Sequence, residues 1–281
     1  MLVRRQELPR HTARAQAQAL TTVAAAAMVW PSDAIRQAVS PVLPGFAVEV
    51  LCAVASTNSE LMERARSGRT VPTLLVAEQQ TAGKGRLGRH WQSARGDSLT
   101  FSLGLPLAPA DWSGLSLAVG VSLAESLHPL VRLKWPNDLW LEDRKLGGIL
   151  IETASTGQTT DAPRHAVIGV GINIAPPVAT GLVTAPACLQ ELMPGIDAPA
   201  VLLRVAAALV LAVQSFERDG FAPFQARFQA LDALRERRVV LSDGSAGTAD
   251  GVGENGALLV HTAGGMIAVT SSEVSVRPAS T

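Results

Sequence analysis

Residues 83–91 read Gly-Lys-Gly-Arg-Leu-Gly-Arg-His-Trp and follow the apolar run Thr73–Ala77, which has the composition of a buried strand. Glycines, which lack side chains, allow backbone N–H groups to come close to an anion. Lys84, Arg86 and Arg89 add positive charge that suits a phosphate or a carboxylate. The stretch therefore predicts an anion-binding loop that follows a strand.

The loop also satisfies the Gly-x-Gly-x-x-Gly pattern of dinucleotide-binding proteins, but its surroundings do not fit that class. A dinucleotide site needs a helix directly after the turn, whereas residues 90–98 are polar and lack helical apolar spacing. A protein-kinase loop is unsupported because no His-Arg-Asp or Asp-Phe-Gly sequence follows. A Walker loop is unsupported because Lys84 is followed by glycine. A flexible surface loop with incidental arginines remains an alternative.

Lysine is scarce in this chain. Of the 24 basic residues, 21 are arginine and three are lysine, namely Lys84, Lys134 and Lys145. Two of them lie in Lys-Trp-Pro-Asn-Asp at 134–138 and Lys-Leu-Gly-Gly-Ile-Leu at 145–150, each at the edge of a predicted strand. A compact ammonium group suits a site that a planar guanidinium would not serve. For Lys134 a solvated strand end is an equally good interpretation.

Other residues in these stretches also suit ligand binding. Asp138 can hold Mg²⁺ or take a proton, and Gly147 with Gly148 would let a ligand lie against the backbone. A turn cap is the alternative for Asp138. Residues 169–173, Gly-Val-Gly-Ile-Asn, form a glycine-broken strand that ends in an amide, although glycines in strands also mark bulges. Ser102 has no nucleophile-elbow context, so a serine hydrolase is unsupported.

Composition narrows the class of protein. Lys and Arg number 24, Asp and Glu also number 24, and the pI is about 7.0. This balance excludes a strongly basic protein that coats nucleic acid nonspecifically. Hydrophobic residues make up 47% and charged residues 17%, which predicts a globular chain of one large domain and a small one. Cys52 and Cys188 form no metal-type or disulfide-type pattern, so a reducing cytoplasm is the expected location. No apolar run is expected to approach the roughly 20 residues of a membrane helix.

Residues 1–44 are expected to be an Ala-rich leader. Four arginines precede the apolar residues 20–30, so a signal peptide has to be weighed. The long basic part, with Glu7, and the threonines in the apolar part argue against it. A loosely ordered leader and a true start near Met28 are the alternatives.

Apolar periodicity predicts helices at residues 33–39, 57–67, 115–127, 198–216 and 221–235. It predicts strands at residues 51–55, 73–77, 99–105, 131–135, 146–152 and 166–174. Thr57 and Glu60 have the spacing of a capping box at the start of the second helix. The elements do not follow a strict βαβ order, which favours an α+β fold with a mixed sheet.

The pattern of the sequence changes near residue 237, from helical spacing to short β-type runs. Short β-type runs at 238–241, 257–261 and 266–270 are separated by Asp-Gly, Asn-Gly and Gly-Gly dipeptides that are typical of hairpin turns. We therefore predict a catalytic domain at residues 45–234 and a small β-barrel at residues 235–281.

Five motifs, in order along the chain, resemble those of the bacterial biotin–protein ligases. They are Ser-Thr-Asn (56–58), Gln-Thr-Ala-Gly-Lys-Gly-Arg-Leu-Gly-Arg-His-Trp (80–91), Lys-Trp-Pro-Asn-Asp (134–138), Lys-Leu-Gly-Gly-Ile-Leu (145–150) and Gly-Val-Gly-Ile-Asn (169–173). The resemblance covers the chain from about residue 45 to its end. It implies the class II synthetase-like fold of biotin and lipoate ligases, with a C-terminal SH3-like β-barrel.

The resemblance also implies a reaction. Biotin's carboxylate would attack ATP, in the presence of Mg²⁺, to give biotinyl-5′-AMP. The biotinyl group would then pass to one lysine of the biotin carboxyl carrier protein of acetyl-CoA carboxylase. Positioning and charge stabilisation carry such chemistry, and no covalent enzyme nucleophile is needed.

The resemblance assigns roles by position. The biotin end would be bound by Ser56, Thr57, Asn58 and Gln80. The carboxylate and α-phosphate would be bound by a loop that orders when the ligand arrives. The residues of this loop are Gly83, Lys84, Gly85, Arg86 and Arg89. The reacting groups would meet Lys145, beside Gly147, with Arg86 and Asp138 as the other catalytic residues. Asp138 would hold Mg²⁺ or help to deprotonate the acceptor lysine, Asn173 would contact the nucleotide, and Trp91 would shield the adenylate or belong to the core.

Two departures from the family pattern bear on function. The usual loop reads Gly-Arg-Gly-Arg-Arg-Gly-Arg, whereas this chain has Lys84 and Leu87, so we expect weaker retention of the adenylate. The region before Leu51 does not resemble a winged helix, so DNA binding is not expected. No membrane partner is expected, and a homodimer is a possibility of the family.

Three alternatives remain open. A lipoate or octanoate ligase or transferase would share the fold, a biotin-responsive transcription regulator would need a DNA-binding domain, and a noncatalytic nucleotide-binding module would not need Lys145. Self-biotinylation, where it occurs, would find all of its lysine acceptors at or near the active site.

Overall fold

Two sheets organise the part of the chain that the computed structural model describes, which is residues 28–155, 163–177, 185–270 and 276–278. The expected leader lies mostly outside the described residues. The described helices are α1 (Ser32–Val39), α2 (Thr57–Arg66), α3 (Leu115–Leu127), α4 (Ala198–Asp219) and α5 (Ala222–Leu231).

The strands divide between the larger sheet, a short hairpin and the C-terminal sheet. The larger sheet contains β1 (Ala47–Leu51), β2 (Thr73–Ala77), β5 (Ser98–Leu107), β6 (Arg132–Lys134), β7 (Asp138–Leu141), β8 (Arg144–Ser155) and β9 (Arg164–Asn173). The hairpin is β3 (Gly83–Lys84) with β4 (His90–Trp91). The C-terminal sheet contains β10 (Arg238–Leu241), β11 (Ala246–Val252), β12 (Leu258–Thr262), β13 (Gly265–Val269) and β14 (Val276–Pro278).

The larger sheet is mixed, as the α+β prediction requires. Its order is β1-β2-β5-β9-β8-β7-β6, with β1 and β2 parallel and the other neighbours antiparallel. The turn between β7 and β8 consists of Glu142 and Asp143, both with positive φ, which matches the twist of a tight hairpin. The predicted fold class is therefore confirmed.

One face of this sheet carries the main core. Strand β5 turns Leu99, Phe101 and Leu103 into it, where helix α4 packs on β5 and helix α3 packs on β8. Alternation of side chains along β5 sends Ser98, Thr100 and Ser102 to the opposite face. The two faces of the sheet thus differ in character, one apolar and closed by helices, the other partly polar.

Helix α4 is the one described helix that is long and apolar enough to cross a membrane, with a mean hydropathy of 1.9 over an 18-residue window. The sequence expectation that no apolar run approaches membrane length is therefore wrong for this segment. Half of that window is buried inside the protein, where Val205, Leu209 and Phe216 are fully covered. The helix packs on α3, and its apolar length serves the core.

The other face of the sheet carries helix α2 and a small apolar cluster around Leu61 and Val167. The helix was predicted to begin with Thr57 as its cap, but the N-cap is Ser56, whose Oγ accepts from the backbone N–H of Ser59. Thr57 does not cap because its hydroxyl points instead to Gln80.

Several predicted boundaries are wrong for reasons of pairing. The first strand is β1, Ala47–Leu51, and not residues 51–55, because its register with β2 ends at Leu51 and Ala77. Beyond it, Val54 makes a single bridge to Gln80. Strands β7 and β11 were missed, since Pro136 precedes the first and the second contains two glycines.

The C-terminal strands form an antiparallel sheet in the order β13-β12-β11-β10-β14, which confirms a small β domain. It contacts the larger domain through the turn before β12. The indole Nε1 of Trp135 donates to the carbonyl oxygen of Gly256 over 3.0 Å. Gly256 has φ +76, and a Cβ there would lie 2.9 Å from Cα of Gly114, so the two backbones approach closely.

Asp232 lies at the junction between α5 and the C-terminal sheet. Its surroundings indicate that the free energy of unfolding depends on pH. Its Oδ2 is buried without a hydrogen-bond partner among the described residues, and burial raises its pKa to about 6. The Leu234 N–H and the charge of Arg235 oppose this shift. Because the folded state holds the proton more tightly, the free energy of unfolding falls as the pH rises from about 4 to about 6.

We therefore expect Asp232→Asn to raise the free energy of unfolding at pH 7 by about 1–3 kcal/mol, and by much less near pH 4. Urea titrations of wild type and variant at both pH values measure this. Asp33→Asn, at an exposed position, is the control. A difference that does not change with pH would contradict the assignment.

Candidate active site

A cavity of about 440 Å³ lies on the partly polar face of the larger sheet. It is bounded by the start of α2, the segment after β2, the β3–β4 hairpin and strands β7, β8 and β9. Twelve residues predicted from the sequence line it: Ser56, Thr57, Asn58, Gln80, Lys84, Gly85, Arg86, Arg89, Trp91, Asp138, Lys145 and Asn173. The fold thus brings residues of all five motifs to one place, and the whole of Ser-Thr-Asn (56–58).

Two predicted residues, Gly83 and Gly147, are not among the lining residues. A Cβ on Gly83 would lie 2.5 Å from the carbonyl oxygen of Trp91, so this glycine permits the tight β3–β4 hairpin. A Cβ on Gly147 would lie 2.6 Å from the carbonyl oxygen of Gly171, so Gly147 packs against the neighbouring strand. Close packing explains both glycines in the fold, and their predicted contacts with a ligand stay predictions.

A bulge explains why Gly148, and not Gly147, faces the cavity. Between β7 and β8 the register runs from Leu139 opposite Gly147 to Trp140 opposite Lys145, so one residue of β8 is extra. The bulge brings the Lys145 side chain onto the face of Gly148, where a Cβ would lie 3.2 Å from its Nζ. Simple alternation in the sequence could not reveal this change of face.

Lys145 forms an ion pair inside the cavity. Its Nζ is 2.7 Å from Oδ1 of Asp138, with the lysine side chain 44% exposed and the aspartate side chain 17% exposed. Nζ also lies 5.9 Å from the centre of the Trp91 ring. The ammonium group is therefore held by a carboxylate on one side and an aromatic wall on the other, yet remains accessible from the cavity.

A hydrogen-bonded amide lies at the other end of the cavity. Oε1 of Gln80 accepts from the backbone N–H of Thr57 over 2.7 Å and from its hydroxyl over 3.1 Å. Since a backbone N–H only donates, this contact fixes which way the amide points. The Nε2 donor of Gln80 is consequently available to the cavity.

Asn58 shapes the same end of the cavity. Its Nδ2 donates to the carbonyl oxygen of Leu150 over 3.2 Å and to Oε2 of Glu152 over 2.9 Å. Its Oδ1 accepts from Oγ of Ser102 over 2.6 Å. Both ends of the amide are engaged by the protein, so Asn58 braces the wall rather than presenting an unused polar group.

Sequence reasoning missed Ser102 and Glu152 as parts of the site. Ser102 was considered only as a nucleophile, whereas its hydroxyl contacts both Asn58 and Thr57. The available signal was its place among polar residues that alternate with apolar ones along β5. No local signal identified Glu152, because its partner Asn58 is 94 positions away in the chain.

The positive end of the cavity is built by the β3–β4 hairpin. Arg86 donates from Nη1 to Oδ1 of Asn137 over 3.2 Å, which links two of the sequence motifs. Burial lowers the pKa of the Arg86 guanidinium, against an opposing effect of Asp138 and with a smaller contribution from Arg89 in the same direction. The guanidinium is thus partly desolvated, a state in which it interacts more strongly with an anion.

Trp91 forms a wall of the cavity by lying flat against bare backbone. A Cβ on Gly171 would lie 2.4 Å from its Cε2, so the indole occupies the space of a side chain. Its Nε1 is buried and has no hydrogen-bond partner among the described residues. Of the two roles weighed for this residue, the half-buried ring borders the cavity while also packing on β9.

Asn173 mainly fixes the neighbouring backbone. Its Nδ2 donates to the carbonyl oxygen of Ala187 over 2.9 Å and to that of Lys145 over 3.4 Å. The N–H of Ala187 in turn donates to the carbonyl oxygen of Lys145 over 2.9 Å. The side chain lines the cavity, so the predicted nucleotide contact would have to use its amide oxygen.

The residues of the cavity fit a metal only in a limited way. Among the described residues, Asp138 is the single carboxylate in the lining, and no group of three or more His, Cys, Asp or Glu side chains is placed to hold a metal ion. Mg²⁺ characteristically binds one or two protein carboxylates together with substrate phosphates and water. Asp138 suits that arrangement but no protein-only cage.

Comparison with known proteins agrees with this geometry. A profile of the Biotin/lipoate A/B protein ligase family matches residues 50–173, and one of the Biotin protein ligase C terminal domain matches residues 238–277. The Bifunctional ligase/repressor BirA of Escherichia coli is 38% identical over 252 residues, 84% of this chain and 76% of that protein. The Biotin--[acetyl-CoA-carboxylase] ligase of Paracoccus denitrificans is 30% identical over 240 residues, 80% of this chain and 98% of that protein.

A solved structure agrees over most of the chain. The biotin protein ligase from Aquifex aeolicus in complex with biotin and ATP is 29% identical, with a TM-score of 0.69 over 83% of this chain and 99% of its own. Fold and cavity thus define a ligase-type catalytic domain joined to a small β domain. The chain belongs to the biotin/lipoate protein ligase family, and within it to the biotin protein ligases, which are enzymes.

Gly169 offers a test of the braced wall, because a Cβ there would lie 2.1 Å from Oδ1 of Asn58. We expect Gly169→Ala to displace Asn58, break its hydrogen bonds and lower the free energy of unfolding by about 1–3 kcal/mol, measured in urea. Gly264→Ala is the control, since the nearest atom to its Cβ would be 3.8 Å away. Equal stability of the two variants would contradict this account of the wall.

Proposed function

We propose that this protein activates biotin with ATP to biotinyl-5′-AMP and transfers the biotinyl group to a lysine of the biotin carboxyl carrier protein of acetyl-CoA carboxylase. The observation that carries the proposal is one cavity with an oriented amide donor, Gln80, at one end and cationic groups, Arg86 and Lys145, at the other. A carboxylic acid with a polar head group would need a hydrogen-bond donor for the head and positive charge for the carboxylate. The names of the Paracoccus and Aquifex proteins support the substrates.

In the first step, a carboxylate oxygen of biotin forms a bond to the α-phosphorus of ATP, and the bond to pyrophosphate breaks. Two anions must approach each other, so charge stabilisation is the main requirement. Arg86, partly desolvated and held by Asn137, would bind the carboxylate and α-phosphate oxygens. Lys145 would exchange part of its contact with Asp138 for the same oxygens.

In the second step, the amine of the acceptor lysine attacks the acyl carbon, an amide bond forms, and AMP leaves with the electron pair of the C–O bond. The amine must lose a proton. We expect Asp138 to take it, a role supported by the contact of its Oδ1 with Lys145. Lys145 would keep its positive charge next to the departing phosphate.

Mg²⁺ would be held by Asp138 together with phosphate oxygens of the nucleotide, and when bound it would neutralise phosphate charge. Lys145 and Asp138 already form an ion pair, so the ammonium group keeps the carboxylate oriented toward the same end of the cavity.

A lipoate or octanoate substrate suits this cavity less well. The Nε2 of Gln80, fixed by Thr57, would meet a dithiolane or an alkyl end that accepts hydrogen bonds poorly. An unpaired buried donor costs about 1–3 kcal/mol, which disfavours those substrates. The expectations of a cytoplasmic enzyme, without DNA or membrane partners and with a possible homodimer, remain predictions from the sequence.

The proposed activity is tested by mixing the full chain with biotin, MgATP and an apo carrier, and by following pyrophosphate and biotinylated carrier. We expect Lys145→Ala to slow pyrophosphate release about 100- to 1000-fold, the range for loss of one preorganised charge-stabilising group. Arg69→Ala, an exposed arginine outside the cavity lining, is the control. Absence of both products with wild-type protein would refute the function, whereas full activity of Lys145→Ala would refute only its role.

The biotin end is tested separately at Gln80. We expect Gln80→Met to raise KM for biotin about 10- to 100-fold, because an oriented donor to a buried polar group is lost, while KM for ATP changes little. Gln79→Met is a matched control, since the neighbouring glutamine is exposed. An increase in KM for ATP alone would show that biotin does not bind at this end.

A further inference from the structure

The cavity collects every lysine side chain in the protein. The 281-residue sequence contains three lysines, Lys84, Lys134 and Lys145, and all three are among the residues that line the cavity. If an acyl-adenylate forms there, the only side-chain amines of the chain border the same space as the activated acyl group. This concentration raises the question of which amine, if any, reacts with it.

Two of the three amines are engaged. Lys145 lies 2.7 Å from a carboxylate oxygen of Asp138, and the proposed reaction requires it to stay charged. Lys134 places its Nζ 5.0 Å from the centre of the Trp140 ring and has a further contact within the protein. Each of these amines would have to leave its partner before it could attack an acyl group.

Lys84 differs from the other two. It is exposed at the end of β3, opposite His90 in the β3–β4 hairpin, and its side chain makes no hydrogen bond or ion pair with the described residues. The hairpin nevertheless holds its backbone in place, since the N–H of Gly85 donates to the carbonyl oxygen of Arg89 over 2.7 Å. A fixed backbone thus presents a side chain with few restraints to the positive end of the cavity.

We propose that Lys84 is a site of self-acylation. The inference rests on the proposed function, because the acyl donor is the enzyme's own biotinyl-5′-AMP. The neutral Nζ attacks the acyl carbon, a C–N bond forms, the C–O bond to AMP breaks, and AMP leaves with that electron pair. The amine releases one proton to solvent, and no oxidant or reductant takes part.

The modification would limit itself. An amide at Lys84 carries no charge, so the anion-binding loop loses one of its cations when the acyl group attaches. The modified chain should therefore form adenylate more slowly. We expect at most one biotinyl group per chain, formed when carrier is absent and suppressed when carrier consumes the adenylate.

The test uses the full chain with biotin and MgATP, without carrier, and combines intact mass spectrometry, peptide mapping and a parallel pyrophosphate assay. We expect one biotinyl adduct, on Lys84, at a first-order rate that does not depend on enzyme concentration. An unrelated lysine-rich protein in the same tube should remain almost unlabelled. Addition of apo carrier should suppress the adduct.

Variants separate the possible acceptors. Lys84→Arg keeps the positive charge but removes the nucleophile, so the adduct per pyrophosphate released should be lost. Lys134→Arg is the matched control and should retain the adduct at Lys84. Labelling of the bystander protein as strongly as the enzyme, or adducts at Lys134, Lys145 or the N-terminal amine in place of Lys84, would overturn the inference.

The outcomes also separate this inference from the function on which it rests. Pyrophosphate release without any adduct would overturn self-acylation and leave the proposed function standing. Failure to release pyrophosphate or to label carrier would instead count against the proposed function itself.

Discussion

Three glycines on two paired strands create the space on which the site depends. Gly148 of β8 lies directly opposite Gly171 of β9, and Gly169 follows two residues away on the same face of β9. A Cβ at Gly171 would collide with Trp91 and one at Gly169 with Asn58, while one at Gly148 would crowd the end of the Lys145 side chain. The middle of the sheet is therefore bare on one face, and the polar residues of the site lie in the space that is left.

The space beside the glycines is lined by polar groups, and polar groups that are buried need hydrogen-bond partners. In this structure other residues of the protein supply those partners. At one end, Ser102 and Glu152 brace Asn58, while Thr57 fixes the amide of Gln80. At the other end, the charges remain partly exposed, so that Lys145 and Asp138 avoid the full desolvation cost of a buried ion pair. A polar wall that is already satisfied needs little reorganisation when a ligand arrives.

The small C-terminal domain is tied to the site through one motif. Trp135 lies next to Pro136 in Lys-Trp-Pro-Asn-Asp, and its indole N–H donates to the carbonyl oxygen of Gly256 in the turn before β12. The same motif supplies Asn137, which holds Arg86, and Asp138, which holds Lys145. The packing of the C-terminal domain and the placement of the charged groups therefore share one short segment of chain.

The sequence by itself determined most of the architecture and identified part of the cavity lining. Helical spacing located α3 at its observed bounds, and hairpin dipeptides located the turns of the C-terminal sheet, because both signals are local. Motif order identified twelve residues that line one cavity. Only the tertiary structure decided that a bulge turns Lys145 to the face of Gly148, that Ser102 and Glu152 brace Asn58, and that glycine-containing β11 is a strand. These features depend on strand register and on partners far away in the chain, which the local sequence does not encode.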